Sequence, residues 1–277
     1  MSKRVVCFLF IILHFWHTGD CFGQIEQIQR MEEIRSLIEA ADQETLVVFD
    51  IDQTLTVSKN PAYQWANFQK YQHLLREMKA DWSEDQLNMA LNLIAVNPQD
   101  GVELIDREVL SIFNFLHAKG IPTIALSATI TGPCGEVADP LPYRVKQLKE
   151  LGIDFSPLAP HTLFLCMQDL PPYLGSHPES VSGLVFSNGE RNTKGEVLTH
   201  FFDQIGWEPK RVIFIDDLKN QLESCEKPLA KRGISFEGIH YLGYSSLPSK
   251  PIEEHKFIRE WEKLGQRAAH VLASRPK

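Results

Sequence analysis

The strongest constraint on what this chain can fold into is a repeating unit: a short apolar run, a polar turn, then a stretch of helical periodicity. Thr45–Asp50 (TLVVFD) is one such run, rich in β-branched residues and ending in an acid. Pro122–Leu126 (PTIAL), Leu163–Cys166 (LFLC), Gly183–Phe186 (GLVF), Arg211–Ile215 (RVIFI) and Ile239–Leu242 (IHYL) are the others. Most lack strict apolar/polar alternation, which is the pattern of strands covered on both faces. Helical patterns lie between them at Arg107–Ala118, Pro142–Leu151, Gly195–Ile205 and Leu218–Lys231, with Gly120, Gly152, Gly206 or Gly233 placed to stop them. Strand and helix in alternation predict an α/β fold with a doubly wound parallel sheet.

Some stretches stand outside that alternation. Residues 58–101 carry Tyr63, Trp65, Phe68, Tyr71, Leu74, Leu75 and Met78 at helical spacing, which predicts a helical cap insertion. Residues 156–183, with Pro171, Pro172 and Pro178, read as an irregular excursion around one short strand. Gln24–Ala41 reads as an amphipathic leader helix. Residues 252–274 set Phe257, Trp261, Leu264, Ala268 and Val271 on one stripe, as expected of a helix that packs back on the domain. A chain of 277 residues, 43% hydrophobic, is long enough for one such domain, residues 24–277, with its insertion.

At the start, Lys3 and Arg4 precede the apolar stretch Val5–Leu13. That is the layout of a secretory signal peptide over residues 1–23, and it predicts an exported protein, periplasmic or secreted. The run is well short of the roughly 20 apolar residues a spanning helix needs, so no stable membrane insertion is expected after cleavage. Removing Lys3, Arg4 and Asp20 takes away two cations and one acid, moving the net charge from −8 to −9. An acidic chain of this kind argues against a nucleic-acid partner. Cys134, Cys166 and Cys225 remain, odd in number and widely spaced, which fits buried thiols better than a zinc module or a disulfide framework.

Polar residues recur where the apolar runs end: Asp50-Ile51-Asp52-Gln53-Thr54-Leu55, Ser127 after PTIAL, Lys194 after Asn192-Thr193, and Asp216-Asp217-Leu218-Lys219-Asn220 after RVIFI. In an open parallel sheet ligands bind at the carboxyl ends of the strands, so these groups are expected to meet in one crevice. Crowded carboxylates call for a hard cation, and Mg²⁺ takes one or two of them while leaving room for water and phosphate. Asp50 at the strand end is the natural nucleophile, and Asp52 can move a proton to a leaving oxygen and from a water. Lys194 would offset the charge of Asp50 and of phosphoryl oxygens, and Ser127 would donate a hydrogen bond to one of them.

On these residues the chain resembles the haloacid dehalogenase superfamily. The D-x-D-x-[TV]-[LV] motif is matched by Asp50, Asp52, Thr54 and Leu55, the strand-end hydroxyl by Ser127, the helix-start lysine by Lys194 and the acid pair by Asp216 and Asp217. The resemblance implies a phosphatase-type branch, because an acid two residues after the nucleophile can serve a leaving alcohol. It implies Mg²⁺ held by the Asp50 carboxylate, the Asp52 carbonyl and the Asp216 carboxylate, with Asp217 and Asn220 in support. It also implies Thr54, Ser127 and Lys194 as substrate contacts. The expected activity is hydrolysis of a small phosphomonoester through an aspartyl-phosphate. The rivals are a phosphotransferase of the same fold and a non-catalytic protein that keeps the metal and phosphate site. Lys146 and Lys149 compete with Lys194 but sit on the wrong helix, and His161, His177, His200 and His240 lack ligand spacing.

Overall fold

The computed structural model describes residues 24–189 and 191–275; the expected signal segment lies outside the described residues. Strands run in chain order as β1 (Gln24–Ile28), β2 (Thr45–Phe49), β3 (Thr56–Ser58), β4 (Val102–Leu104), β5 (Thr123–Ser127), β6 (Leu165–Cys166), β7 (Glu179–Val181), β8 (Leu184–Phe186), β9 (Arg211–Asp216) and β10 (Ser235–Tyr241). The α-helices are α1 (Arg35–Glu39), α2 (Trp65–Lys70), α3 (Gln72–Met78), α4 (Glu84–Ala95), α5 (Glu108–Lys119), α6 (Pro140–Glu150), α7 (Lys194–Ile205), α8 (Lys219–Ala230) and α9 (Glu254–Ser274). Among the described residues no helix is long and apolar enough to cross a membrane.

The eight-stranded sheet has the order β1-β10-β9-β2-β5-β8-β7-β6. Strands β1 to β8 in that order pair in parallel, and β7 and β6 extend the sheet antiparallel. Val47 and Phe49 of β2 face one apolar layer with Ile112, Phe113 and Leu148 of α5 and α6. Leu46 and Val48 face the other, with Leu198, Phe201 and Leu222 of α7 and α8. Both faces are covered, so β2 has to be apolar throughout, and that explains the run in the sequence. The chain builds outward from β2 through β5 and β8, then crosses back to place β9 on the opposite side of β2. Strand order therefore reverses between β2 and β9, and the crevice at their carboxyl ends is where an open α/β sheet takes its ligand.

Several expectations need correction. The first five residues of the expected leader helix form β1, paired in register with β10 from Gln24↔Glu237 to Ile28↔Tyr241. The open backbone groups of β10 capture this segment, and helical burial begins only at Met31, Ile34 and Ile38. Strand β10 itself begins at Ser235, earlier than expected, because Glu237 interrupts the apolar signal while Arg211 on β9 neutralises it at 2.6 Å. The excursion over residues 156–183 holds two short strands rather than one, and Leu163 and Phe164 lie exposed ahead of the first.

The cap insertion is helical as expected, carrying α2, α3 and α4, and the antiparallel pair β3/β4 ties its two ends to the core. Helix α9 buries the expected stripe on the domain, and the part of the domain it packs on is the cap. Phe257, Trp261, Leu264 and Ala268 join Tyr71, Leu75, Met89 and Leu93 in one cluster. Trp261 Nε1 donates to the Ala62 carbonyl at 3.0 Å, and Tyr71 donates to the Ile252 carbonyl at 2.9 Å. Gly265 is required on this face, since a Cβ there would stand 2.2 Å from the Trp82 ring. Cys134 and Cys225 are buried free thiols, and Cys166 is free and half-buried.

Candidate active site

Strand β2 ends where Asp50 N donates to the Ile215 carbonyl at 2.8 Å, which locks the loop after β2 to β9. The chain then turns tightly: Leu55 N and Thr56 N both donate to the Ile51 carbonyl, and Gln53 takes a left-handed φ of 64°. A non-glycine residue in that region costs about 1–2 kcal/mol, which the surrounding bonds must offset. The turn brings Asp52 back to the cavity that Asp50 faces.

Lys194 opens α7 behind the N-cap Thr193, whose side chain and that of Glu196 form a reciprocal capping box. Its ammonium donates to Asp50 Oδ1 at 2.6 Å and to Asp216 Oδ2 at 2.7 Å, and the residue is buried. The neighbouring Gly195 allows this placement, because a Cβ would lie 2.1 Å from the Ser224 carbonyl of α8. Asp216 Oδ1 accepts from Leu218 N at 2.8 Å, fixing the carboxylate at the start of α8. Ser127 shares a 2.9 Å hydrogen bond with Thr129 and lines the same cavity.

Carboxylate oxygens of Asp50, Asp216 and Asp217 lie within 4.8 Å of one another. Burial pushes the Asp50 carboxyl from an ordinary 3.8 up to about 7, against the downward pull of Lys194, with Asp216 and Asp52 adding to the rise. Asp217 is raised for the same reasons, burial first and then its acidic neighbours. Burial alone would depress Lys194, but Asp216 and Asp50 outweigh it and raise its pKa, so the ammonium stays charged. Three carboxylates with one lysine leave an anionic excess in a set of hard oxygen donors, and this suits a hard divalent cation.

Most of the expected residues converge, with differences. Asp217, expected in support, belongs to the acidic cluster itself. Thr54, expected to touch substrate, is buried and accepts from Asp217 N at 3.1 Å, so it braces the acid pair. Asn220 is exposed on α8, and Gln221, one residue on, lines the cavity instead. Lys146 and Lys149 pair with Glu150 and Asp154 away from the cavity. His240 has a structural task, with Nε2 3.0 Å from the Asp217 carbonyl oxygen.

The residue that the sequence reading missed is Arg144. It is fully buried on α6, and Nη2 donates to Asp52 Oδ1 at 2.7 Å. Its Nη1 donates to the Ala95 carbonyl at the end of α4 and to Gln147 Oε1, each at 2.7 Å. One guanidinium thus connects the Asp52 carboxylate to the cap. A signal was available: Arg144 sits on the stripe with Leu141 and Leu148, which faces the core.

The cavity holds about 380 Å³ and runs from the acidic cluster out between cap and core. Fold and site together define an open, mostly parallel α/β protein whose capped acidic site lies at the topological switch point. The chain belongs to the family described as "Protein of unknown function (DUF2608)", whose family model matches residues 27–271. It is 25% identical over 223 residues to the uncharacterized protein RP296 of Rickettsia prowazekii, covering 79% of this chain and 77% of that one. An uncharacterized protein of Rickettsia bellii is 26% identical over 204 residues, covering 72% and 68% of the respective chains. Among solved structures, the HAD domain of effector protein Lem4 from Legionella pneumophila, an inactive mutant, aligns with a TM-score of 0.36 and 12% identity. That alignment covers 83% of this chain and 98% of that one.

Proposed function

We propose that this protein is a Mg²⁺-dependent phosphohydrolase that acts on a phosphomonoester through an aspartyl-phosphate at Asp50. The observation that carries the reading is the buried Lys194 bridge between Asp50 and Asp216, at the switch point of the sheet and beside Asp52 and Ser127. It supports the haloacid dehalogenase resemblance in its phosphatase-type branch, since every motif of that resemblance reaches one cavity or braces it. The apolar run after Lys3 and Arg4 supports export of the mature enzyme.

Lys194 occupies Asp50 Oδ1, and Asp50 Oδ2 receives no protein donor among the described residues, leaving it to attack phosphorus. As the new P–O bond forms, the ester P–O bond breaks and Asp52 gives its proton to the departing oxygen. Asp52 then takes a proton from the water that attacks the phosphoaspartate, releasing phosphate and restoring Asp50. Ser127 and Lys194 bind phosphoryl oxygens. Asp50, Asp216 and Asp217 would hold Mg²⁺, which would supply neutralisation of a phosphate dianion beside carboxylates.

Release of phosphate from p-nitrophenyl phosphate tests the reading. Turnover should vanish on chelation, return with Mg²⁺ and fail with Ca²⁺, which readily binds a carboxylate through both oxygens and would occupy the attacking atom. Full activity in chelator would overturn the proposal.

The contact to Arg144 makes the role of Asp52 testable as well. Arg144 takes one Asp52 oxygen and fixes the carboxylate toward the cavity, leaving the other for proton transfer. Asp52→Asn should slow an alkyl phosphate about 10²–10⁴-fold and p-nitrophenyl phosphate far less, because nitrophenolate needs no proton. Arg144→Met should reproduce the same leaving-group bias more weakly. Equal losses for both substrates would remove Asp52 from proton transfer.

A further inference from the structure

We infer that the cavity selects singly phosphorylated esters whose leaving group is an uncharged aromatic, a substrate class that rests on the hydrolase reading above. The wall beyond the acidic cluster is built from rings. Trp65 stacks on Phe68 at 5.6 Å with planes 10° apart, and Tyr244 from the core side meets Trp65 edge-on at 5.1 Å. Tyr63 and Trp261, also edge-on at 5.4 Å, continue the wall from the cap and α9. Aromatic faces at these spacings favour another ring over a hydroxyl-rich sugar.

The mouth is apolar too. Leu91 on α4 and Leu218 before α8 line the cavity while 50% and 46% exposed, and the remaining large exposed hydrophobics among the described residues, Leu163 and Phe164, lie elsewhere. Apolar groups left open on facing walls are covered when an apolar ligand enters.

Charge excludes the alternatives. Among the described residues that line the cavity, Lys194 is the sole cation, and it is committed to Asp50 and Asp216. Lys79 approaches the Phe68 and Trp261 rings at 5.7 Å but does not line the cavity. A second phosphate or a carboxylate on the substrate would meet the acids Asp52 and Asp217, and Arg144, the cation behind Asp52, is already paired with it at 2.7 Å and does not line the cavity. Electrostatic mismatch of this kind rejects ligands.

The experiment compares primary-alkyl phosphates, so that the chemistry of the breaking bond is alike: 2-phenylethyl phosphate, ribose 5-phosphate and fructose 1,6-bisphosphate. We expect kcat/KM for the phenylethyl ester to exceed that for ribose 5-phosphate about 30-fold or more, the size set by burying one ring, with the bisphosphate slowest. Trp65→Ala should shrink that ratio about tenfold and Trp65→Phe should keep most of it, which separates loss of a ring contact from loss of the cap. Calorimetric titration with 2-naphthaleneethanol, which has no phosphate, should show saturable binding that Trp65→Ala weakens. Equal or faster turnover of the sugar or bisphosphate would overturn this inference and leave the hydrolase standing. Trp65-dependent binding of the alcohol with no turnover of any ester would overturn the hydrolase and keep the aromatic subsite. Absence of both would remove both.

Discussion

Asp50→Asn should yield a folded protein that releases phosphate on the order of 10⁶-fold more slowly, the scale of loss when a covalent mechanism is deprived of its nucleophile. The amide keeps the shape of the carboxylate and can still accept from Lys194, so packing is preserved. Stability should move the opposite way. Burial raises the Asp50 carboxyl to about 7, which means that the fold disfavours its ionised form despite Lys194. A neutral side chain removes that penalty, and metal-free Asp50→Asn should therefore melt at or above the wild-type temperature. Stopped phosphate-release assays and calorimetry on one preparation check both halves. A folded Asp50→Asn enzyme that retains turnover would sink the aspartyl-phosphate mechanism.

Lys194→Met should have the next largest effect, and it should damage fold and activity together. Removing one partner of a buried ion pair leaves an uncompensated charge and costs about 3–5 kcal/mol. Here two carboxylates, Asp50 and Asp216, lose their shared donor. The dependence on pH has a definite sign. In the metal-free protein Asp50 titrates at about 7 when folded against an ordinary 3.8, so its favourable contribution is complete below about pH 4 and is lost as pH rises through 7. Without Lys194 nothing opposes the upward shift. The gap in melting temperature between Lys194→Met and wild type should then widen as pH rises, and Mg²⁺ should narrow it. Lys146→Met and Lys149→Met, at exposed positions, should change neither quantity by more than a few tenths of a kcal/mol. A gap that is flat or shrinks with rising pH would mean that Lys194 does not balance these carboxylates.

The parts of the site that could be read from the sequence are those with a local signature. Asp50, Ser127 and Asp216 each end an apolar run, and Lys194 starts a helix behind a capping threonine, so strand and helix boundaries alone put them at one end of the sheet. Thr54 and Asn220 were misplaced by a smaller margin. The turn after β2 and the rotational phase of α8 decide which neighbouring side chain faces the cavity, and a motif fixes spacing but not phase. Gln221 faces inward for that reason. Arg144 was hidden for a different one: its partners Asp52 and Ala95 are remote in sequence, and a single arginine among Lys146 and Lys149 resembles a solvated helix face. Strand β1 was unreadable because its conformation is imposed by the free edge of β10, and the short run QIEQI does not itself choose between helix and strand.

Helix α9 gives the cavity a timetable. The wall that carries Tyr63, Trp65 and Phe68 is braced by Trp261, whose bond to Ala62 spans 199 residues of chain. Synthesis delivers the chain from its N-terminus, and domains assemble in that order. A nascent chain that has reached the end of β10 already carries Asp50, Asp52, Lys194 and Asp216 at the carboxyl end of its sheet, but Tyr71, Leu75, Met89 and Leu93 of its cap still lack Phe257, Trp261, Leu264 and Ala268. The acidic cluster is thus complete before the chamber around it. Only the arrival of the last helix closes that chamber, so a chain cut short before α9 would carry the whole acidic cluster with its lysine and an unfinished wall.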